Sequence, residues 1–274
     1  MKALRSLYSP SRESRKGDNG RLLIIGGSRD YHGAPMFSIL AARRFVDLLY
    51  FYPAEKDPYL IGAVKRIPEV IVVNRLDSPA IRGTLDCILF GIGISNAKIA
   101  VPKLATKNQK TNKKLETKSA IGTATASTKL VIDGDGLKRV KGKIPEGAIL
   151  TPHENEFRML FGVEGSLQNV KAMAEKHRCV ILKKGPVDII SDGKRTVTNR
   201  IHNQGMTKGG TGDVLAGLVA ALACKNDAFT AAWAGAVITG NAGNMLKRKY
   251  GYNFCASELA DMLAESAIAL GKRK

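Results

Sequence analysis

The stretch RLLIIGGS, residues 21–28, is an apolar run that ends in two glycines and a serine. A short continuous apolar run closed by a glycine turn is typical of a strand buried on both faces of a sheet. Residues 34–44 follow with apolar side chains at helical spacing. The sequence therefore predicts a passage from a buried strand, through a tight turn, into a helix.

The same alternation continues along the chain. Strands that alternate with helix-length segments predict an α/β fold, a three-layer sandwich whose mostly parallel central sheet is flanked by helices. Residues 188–190 and 196–198 flank a turn at 191–194, which predicts an antiparallel edge hairpin. The other predicted strands are 47–52, 70–73, 87–90, 130–132 and 180–182, and the predicted C-terminal helices are 211–224, 228–247 and 257–270.

Length and composition limit the class of protein. A chain of 274 residues suits one large domain, so we predict a single domain over residues 1–274, with residues 1–18 as a frayed basic segment. No apolar run reaches the roughly 18 residues that a membrane span needs. Four widely spaced cysteines without a C-x-x-C pair indicate reduced thiols and a cytoplasmic protein.

The formal net charge of +19 points to anionic partners. Residues 1–21 and 103–118 each carry six basic residues, and neither segment has the interleaved aromatic residues that stack nucleic-acid bases. We therefore favour a solvated surface, or steering of small phosphorylated ligands, over a nucleic-acid site. We expect the tract 103–128 to be the least ordered internal part of the chain.

The chemistry is expected at residues 207–213, TKGGTGD, which precede an evident helix. Glycines at a helix start let backbone N–H groups approach an anion, and the helix dipole favours a phosphate there. Asp213, in the first turn, could accept a proton from a hydroxyl beside that phosphate. The alternative is a simple helix cap made by Thr211 or Asp213.

Other stretches can support this chemistry. Asp133 and Asp135 follow a strand, where they could hold Mg²⁺ or a hydroxyl or form a plain Asp-Gly turn. The segment 183–185, KKG, suits a nucleotide phosphate or a solvated turn. The segment 91–95, GIGIS, suits a turn that approaches a ligand. At 151–157, TPHENEF predicts a helix with Thr151 as N-cap, Pro152 at the first position, Glu154 in a capping box and His153 in the first turn.

Taken together, these motifs resemble those of the ribokinase-like superfamily, which is related to carbohydrate kinases. More closely, the chain is similar to its ADP- or ATP-dependent NAD(P)H-hydrate dehydratase branch. The stretches that carry the resemblance are GGS at 26–28 with Tyr31 and GAP at 33–35, and the segments 91–93, 131–137, 150–157, 182–185 and 203–217.

The resemblance implies a lyase that repairs a metabolite. Hydrated NADH or NADPH would be returned to NAD(P)H by phosphorylation of the ring hydroxyl and loss of phosphate, with Mg²⁺ bridging the phosphates of ADP or ATP. It implies Asp213 as the catalytic carboxylate, a homo-oligomer, and two sets of contacts. The hydrated dinucleotide would contact Ala34, Gly93, His153 and Asp213. The adenine nucleotide would contact Lys184, Gly185, Pro186, Val187, Asp188, Gly209, Gly210, Thr211 and Gly212.

Two departures from the family pattern are evident. Asp188 stands where the family tends to have a small hydroxyl residue, and the helical segment 231–244 lacks an expected histidine and a final aspartate. Two alternatives remain open at this point. One is a related small-molecule kinase acting on a hydroxymethyl group, and the other is a nucleic-acid-binding protein built on a degenerate nucleotide fold.

Overall fold

A computed structural model describes residues 4, 7–81, 85–102 and 127–271. Within these residues nine strands form one sheet, in the order β3-β2-β1-β4-β5-β6-β7-β8-β9. The pairs from β3 through to β7 are parallel, whereas β7–β8 and β8–β9 are antiparallel. The strands are β1 (Arg21–Gly26), β2 (Leu48–Pro53), β3 (Val70–Val72), β4 (Cys87–Ile92), β5 (Lys129–Ile132), β6 (Ile149–Leu150), β7 (Val180–Lys183), β8 (Asp188–Ser191) and β9 (Thr196–Asn199).

The central strands are buried on both faces, which is why their sequences are continuously apolar. Successive residues of β1 point to opposite cores: Leu22 and Ile24 belong to one cluster, Leu23 and Ile25 to the other. The sheet thus separates two apolar layers, and helices cover both.

The helices divide between the two faces of the sheet. Helices α1, α2, α6, α7 and α8 pack on one face, and α3, α4 and α5 on the other. The helices are α1 (Gly33–Ala42), α2 (Pro58–Lys65), α3 (Asp135–Arg139), α4 (Glu154–Phe161), α5 (Leu167–His177), α6 (Thr211–Ala223), α7 (Ala228–Tyr250) and α8 (Ala256–Gly271).

The structure confirms the predicted three-layer α/β fold and the antiparallel edge hairpin. The predicted start of α4 is wrong. His153 is the N-cap, where its Nδ1 accepts the N–H groups of Asn155 and Glu156, and the helix begins at Glu154. Thr151 is fully buried, and its hydroxyl donates to the Ile132 carbonyl of β5 instead of capping a helix.

Only part of each segment is described for two of the predictions, the low order of the tract 103–128 and the frayed N-terminal residues 1–18. Most of the tract 103–128 lies outside the described residues. In the basic N-terminal segment, the Tyr8 N–H donates to Asn226 Oδ1 at 2.8 Å, and the Tyr8 hydroxyl donates to Asn19 Oδ1. Among the helices of the described ranges, none has the length and apolarity to span a bilayer.

Candidate active site

Strands β5 and β7, which lie on either side of β6, are each followed by a charged residue of the site. Lys184, after β7, donates from Nζ to Asp133 Oδ1, after β5, at 2.8 Å. The two side chains are 19% and 4% exposed, so this is a buried ion pair and not a solvated turn. Burial disfavours the ammonium, but the carboxylates of Asp133, Glu156 and Asp213 outweigh it and raise the pKa of Lys184.

Helix α6 begins without a side-chain cap. Its N-cap, Gly210, has φ +90°, which favours glycine, and a Cβ there would lie 2.4 Å from the ring of Phe37. The Thr211 hydroxyl donates backward to the Met206 carbonyl at 2.7 Å, so the alternative of a capping Thr211 or Asp213 is wrong. The free N–H groups of the first turn can therefore bind an anion.

Asp213 lies in that first turn, as predicted. Its backbone carbonyl accepts the Ser38 hydroxyl at 2.7 Å, which ties α6 to α1. Lys184 is close by, because a Cβ on Gly212 would lie 3.5 Å from its Nζ. Burial raises the pKa of Asp213 to about 7; the charges of Asp133 and Glu156 raise it too, whereas Lys184 lowers it.

Glu156 belongs to this charged group, although the sequence analysis did not single it out. Its Oε2 accepts the backbone N–H of His153, and Oε1 lies 3.6 Å from His153 Nε2. Burial raises the pKa of Glu156, and Lys184 opposes this effect. The signal in the sequence was its place as the third residue of the helix, where a capping-box glutamate stands.

The predicted substrate residues fall into two groups, Gly93 with Ala34 and His153 with Asp213. A Cβ on Gly93, just after β4, would lie 3.0 Å from Ala34 Cβ and 2.7 Å from the Tyr31 carbonyl, so Gly93 and Ala34 are in contact. Gly93 has φ +60°, the left-handed region that favours glycine. His153 is linked to the Asp213 group through Glu156, with its side chain 53% exposed.

A cavity of about 260 Å³ lies beside the start of α6. Six predicted nucleotide contacts line it, whereas Val187, Gly209 and Gly210 do not, and their contacts stay predictions. Asp188 faces this cavity; burial raises its pKa, opposed by hydrogen bonds from Asn199 and the Gly185 N–H. The six are Lys184, Gly185, Pro186, Asp188, Thr211 and Gly212.

The sequence analysis did not assign the opposite wall of this cavity. It is formed by the segment after β9 and by one face of α7, including Ile201, His202, Asn203 and Thr239. Thr239 is 2% exposed, and its hydroxyl has no hydrogen-bond partner. Its position in the middle of a helix gives no local sequence signal of a ligand site.

The nine-stranded, mostly parallel sheet flanked by helices is a ribokinase-like fold. Solved structures agree on the fold. A ribokinase-like superfamily protein from Enterococcus faecalis matches with a TM-score of 0.75 at 24% identity over 98% of this chain and 94% of its own. The Bacillus subtilis ADP/ATP-dependent NAD(P)H-hydrate dehydratase matches with a TM-score of 0.72 at 24% identity, over 97% and 95%.

The family model described as Carb_kinase, NAD(P)H-hydrate dehydratase, matches residues 22–265, and the chain belongs to this family. It is 35% identical to the ADP-dependent (S)-NAD(P)H-hydrate dehydratase of Cenarchaeum symbiosum, over 93% of this chain and 91% of that protein. It spans about half the length of bifunctional NAD(P)H-hydrate repair enzymes such as that of Methanocaldococcus jannaschii (35% identity).

Proposed function

We propose that this protein is a lyase that dehydrates hydrated NADH or NADPH to NAD(P)H, with ADP or ATP as co-substrate. The observation that carries the proposal is Asp213. It is a half-buried carboxylate with a pKa of about 7, at an uncapped helix start and beside Lys184. A base with that pKa can accept a hydroxyl proton near neutral pH.

The proposed reaction has two steps. Asp213 takes the proton of the ring hydroxyl while the hydroxyl oxygen bonds to the terminal phosphorus of the nucleotide. The bond from that phosphorus to its bridging oxygen breaks, so that ATP leaves as ADP, or ADP leaves as AMP. The ring C–O bond then breaks with loss of phosphate and of a proton from the adjacent carbon, which restores the double bond. The free N–H groups of α6 and the Lys184 ammonium suit the charge on the transferring group.

We propose that Mg²⁺ enters with the nucleotide. In the described residues, no group of three or more His, Cys, Asp or Glu side chains could hold a metal ion. Mg²⁺ is commonly bound by substrate phosphates and one or two carboxylates, and Asp133 supplies such oxygens. When bound, the ion would neutralise phosphate charge.

We also propose that the protein is cytoplasmic and forms a homo-oligomer. A reducing cytoplasm would keep cysteines free. The four cysteines are free, and three of them are buried: Cys87, Cys179, Cys224 and Cys255. Sedimentation of the purified protein would test the proposed homo-oligomer.

The function is tested by incubating the protein with hydrated NADH, Mg²⁺ and either ADP or ATP. Recovery of reduced-nicotinamide absorbance with one nucleotide, abolished in Asp213→Asn, would support the proposal and identify the donor. A folded protein that binds nucleotide and gives no recovery would contradict it. A screen of small alcohols for phosphorylation would then test the kinase alternative.

A further inference from the structure

A second cavity, of about 380 Å³, lies at the carboxyl edge of the sheet, and Asp213 and Lys184 are not among its lining residues. Its walls are the segments that follow the neighbouring strands β1, β2 and β4, namely residues 28–30, 54–55 and 95–98. Open α/β sheets bind ligands at this edge. The predicted site residues do not include any member of this cavity.

Ser28 indicates that a ligand belongs there. It is 3% exposed, and its hydroxyl has no hydrogen-bond partner, although it lines the cavity. A buried hydroxyl without a partner is costly to the folded state. A ligand that accepted or donated a hydrogen bond at this position would remove the cost.

The charges of the lining indicate the ligand's chemistry. Arg29 and Lys98 are exposed cations that can bind a phosphate, and Glu55 and Asp30 are carboxylates that can accept hydrogen bonds from hydroxyl groups. Glu55 is oriented by the Arg29 N–H, which donates to Oε2 at 3.0 Å. In dinucleotide-binding sheets, one strand ends in a glycine turn and a carboxylate after the neighbouring strand hydrogen-bonds the ribose hydroxyls. Glu55 lies in the corresponding place, after β2 and next to the glycine turn of β1.

The cavity adjoins the predicted substrate contacts. Gly93 is two residues before the Ser95–Lys98 wall of the cavity, and the Ser28–Asp30 wall leads through Tyr31 to Ala34. Gly93 and Ala34 are themselves in contact. A dinucleotide that contacts Ala34 and Gly93, as the family resemblance implies, would therefore lie beside this cavity.

We propose that the cavity around Ser28 and Glu55 binds the adenylate half of the hydrated dinucleotide, with its ribose at Glu55 and its phosphate at Arg29 and Lys98. This inference rests on the proposed function. It adds a substrate subsite that is separate from the cavity beside α6, where the co-substrate nucleotide is expected.

The test compares two substrates in Ser28→Ala and Glu55→Gln. One substrate is hydrated NADH, and the other is the hydrated reduced mononucleotide, which has the nicotinamide ring and no adenylate. Each variant should lower kcat/KM for hydrated NADH by about tenfold, mainly through KM, since one hydrogen bond is lost. Turnover of the mononucleotide and the KM for ADP should stay within about twofold of wild type.

Controls separate binding from folding. Glu69→Gln changes an exposed glutamate before β3 and should leave both substrates unaffected. Ser28→Ala removes a hydroxyl without a partner, so it should fold at least as well as wild type by thermal melting. Calorimetry should show weaker binding of the product NADH to both variants and unchanged binding of ADP.

The outcomes are distinguishable. Equal losses for both substrates would place the nicotinamide half in the cavity and overturn the inference, and so would unchanged kinetics for hydrated NADH. If the wild type turns over neither substrate, the proposed function fails. In that case selective weakening of NADH binding still supports the subsite, and unchanged NADH binding rejects it.

Discussion

At the scale of single residues, Asp213 is costly to the folded protein because burial disfavours its charge. Its folded pKa of about 7 lies above the ordinary 3.8. Between these values the folded state holds a proton that the unfolded state has lost, so the free energy of unfolding falls as pH rises through this window. Above it, the carboxylate weakens the fold.

Asp213→Asn should therefore separate stability from activity. The variant should lose turnover of hydrated NADH, because the amide cannot accept the proton. At pH 8 its free energy of unfolding should rise by on the order of 2 kcal/mol, after allowance for partial solvent screening. Urea titrations at about pH 8 and pH 4 check this, since the gain should vanish at the lower pH. An inactive variant that is less stable at pH 8 would contradict this account.

The same carboxylate predicts the pH dependence of activity. Since a base must be deprotonated, kcat/KM should rise with pH and level off above a midpoint near the Asp213 pKa of about 7. Glu156→Gln keeps a side chain that can cap α4 but removes a charge that raises this pKa, so its midpoint should move to lower pH. Rate profiles of both proteins check this, and an unshifted midpoint in Glu156→Gln would count against the coupling.

Thr239→Val should make the free protein more stable and its nucleotide complex weaker. Valine fills the same space without the partnerless hydroxyl, so the free energy of unfolding should rise by about 1 kcal/mol. If nucleotide satisfies the hydroxyl, the rise in Tm caused by ADP should shrink. The control Thr230→Val, also in α7, removes a hydroxyl that hydrogen-bonds Asp227 and should destabilise the protein. Two variants of equal stability would reject the explanation.

At the scale of elements, the start of α4 shows where sequence patterns fail. The segment 151–154 has a threonine, a proline and a glutamate at the spacing of a cap. However, Thr151 is needed as a donor to the Ile132 carbonyl, and His153 takes the cap. A histidine acts as a cap through Nδ1. Rules for N-caps rest on hydroxyl, carboxyl and amide side chains, so they do not predict a histidine cap. The glycine-rich start of α6 was predictable because its pattern is local.

His153→Asn and His153→Ala should separate the cap from the predicted substrate contact. Asparagine is a good N-cap, so His153→Asn should keep the stability of α4, whereas His153→Ala should cost about 1 kcal/mol. Both variants lose the imidazole, so both should raise KM for hydrated NADH. Thermal melts and steady-state kinetics check this. A normal KM in His153→Asn would reduce the role of His153 to capping.

At the scale of the whole molecule, the sheet order brings the site together. The alternation of apolar runs predicted most of the strands, but the two-residue β6 is too short to give a pattern. The strand order could not be derived from local signals, since it depends on long-range pairing. That order puts β5, β6 and β7 side by side, and with them Asp133, His153 and Lys184. The sequence therefore supplied the candidate residues, and the topology showed which of them meet.

The net charge of +19 is the remaining property of the whole chain, and both proposed substrates are anions. Long-range attraction speeds the encounter of opposite charges, and salt screens it over about 10 Å at 0.1 M. We expect kcat/KM for hydrated NADH to fall about threefold to tenfold between about 20 and 300 mM salt. Measured at saturating substrate, kcat should barely change, because encounter no longer limits the rate. If kcat/KM is flat while retention on nucleic acid falls steeply with salt, the charge serves a polyanion instead, and the nucleic-acid alternative gains support.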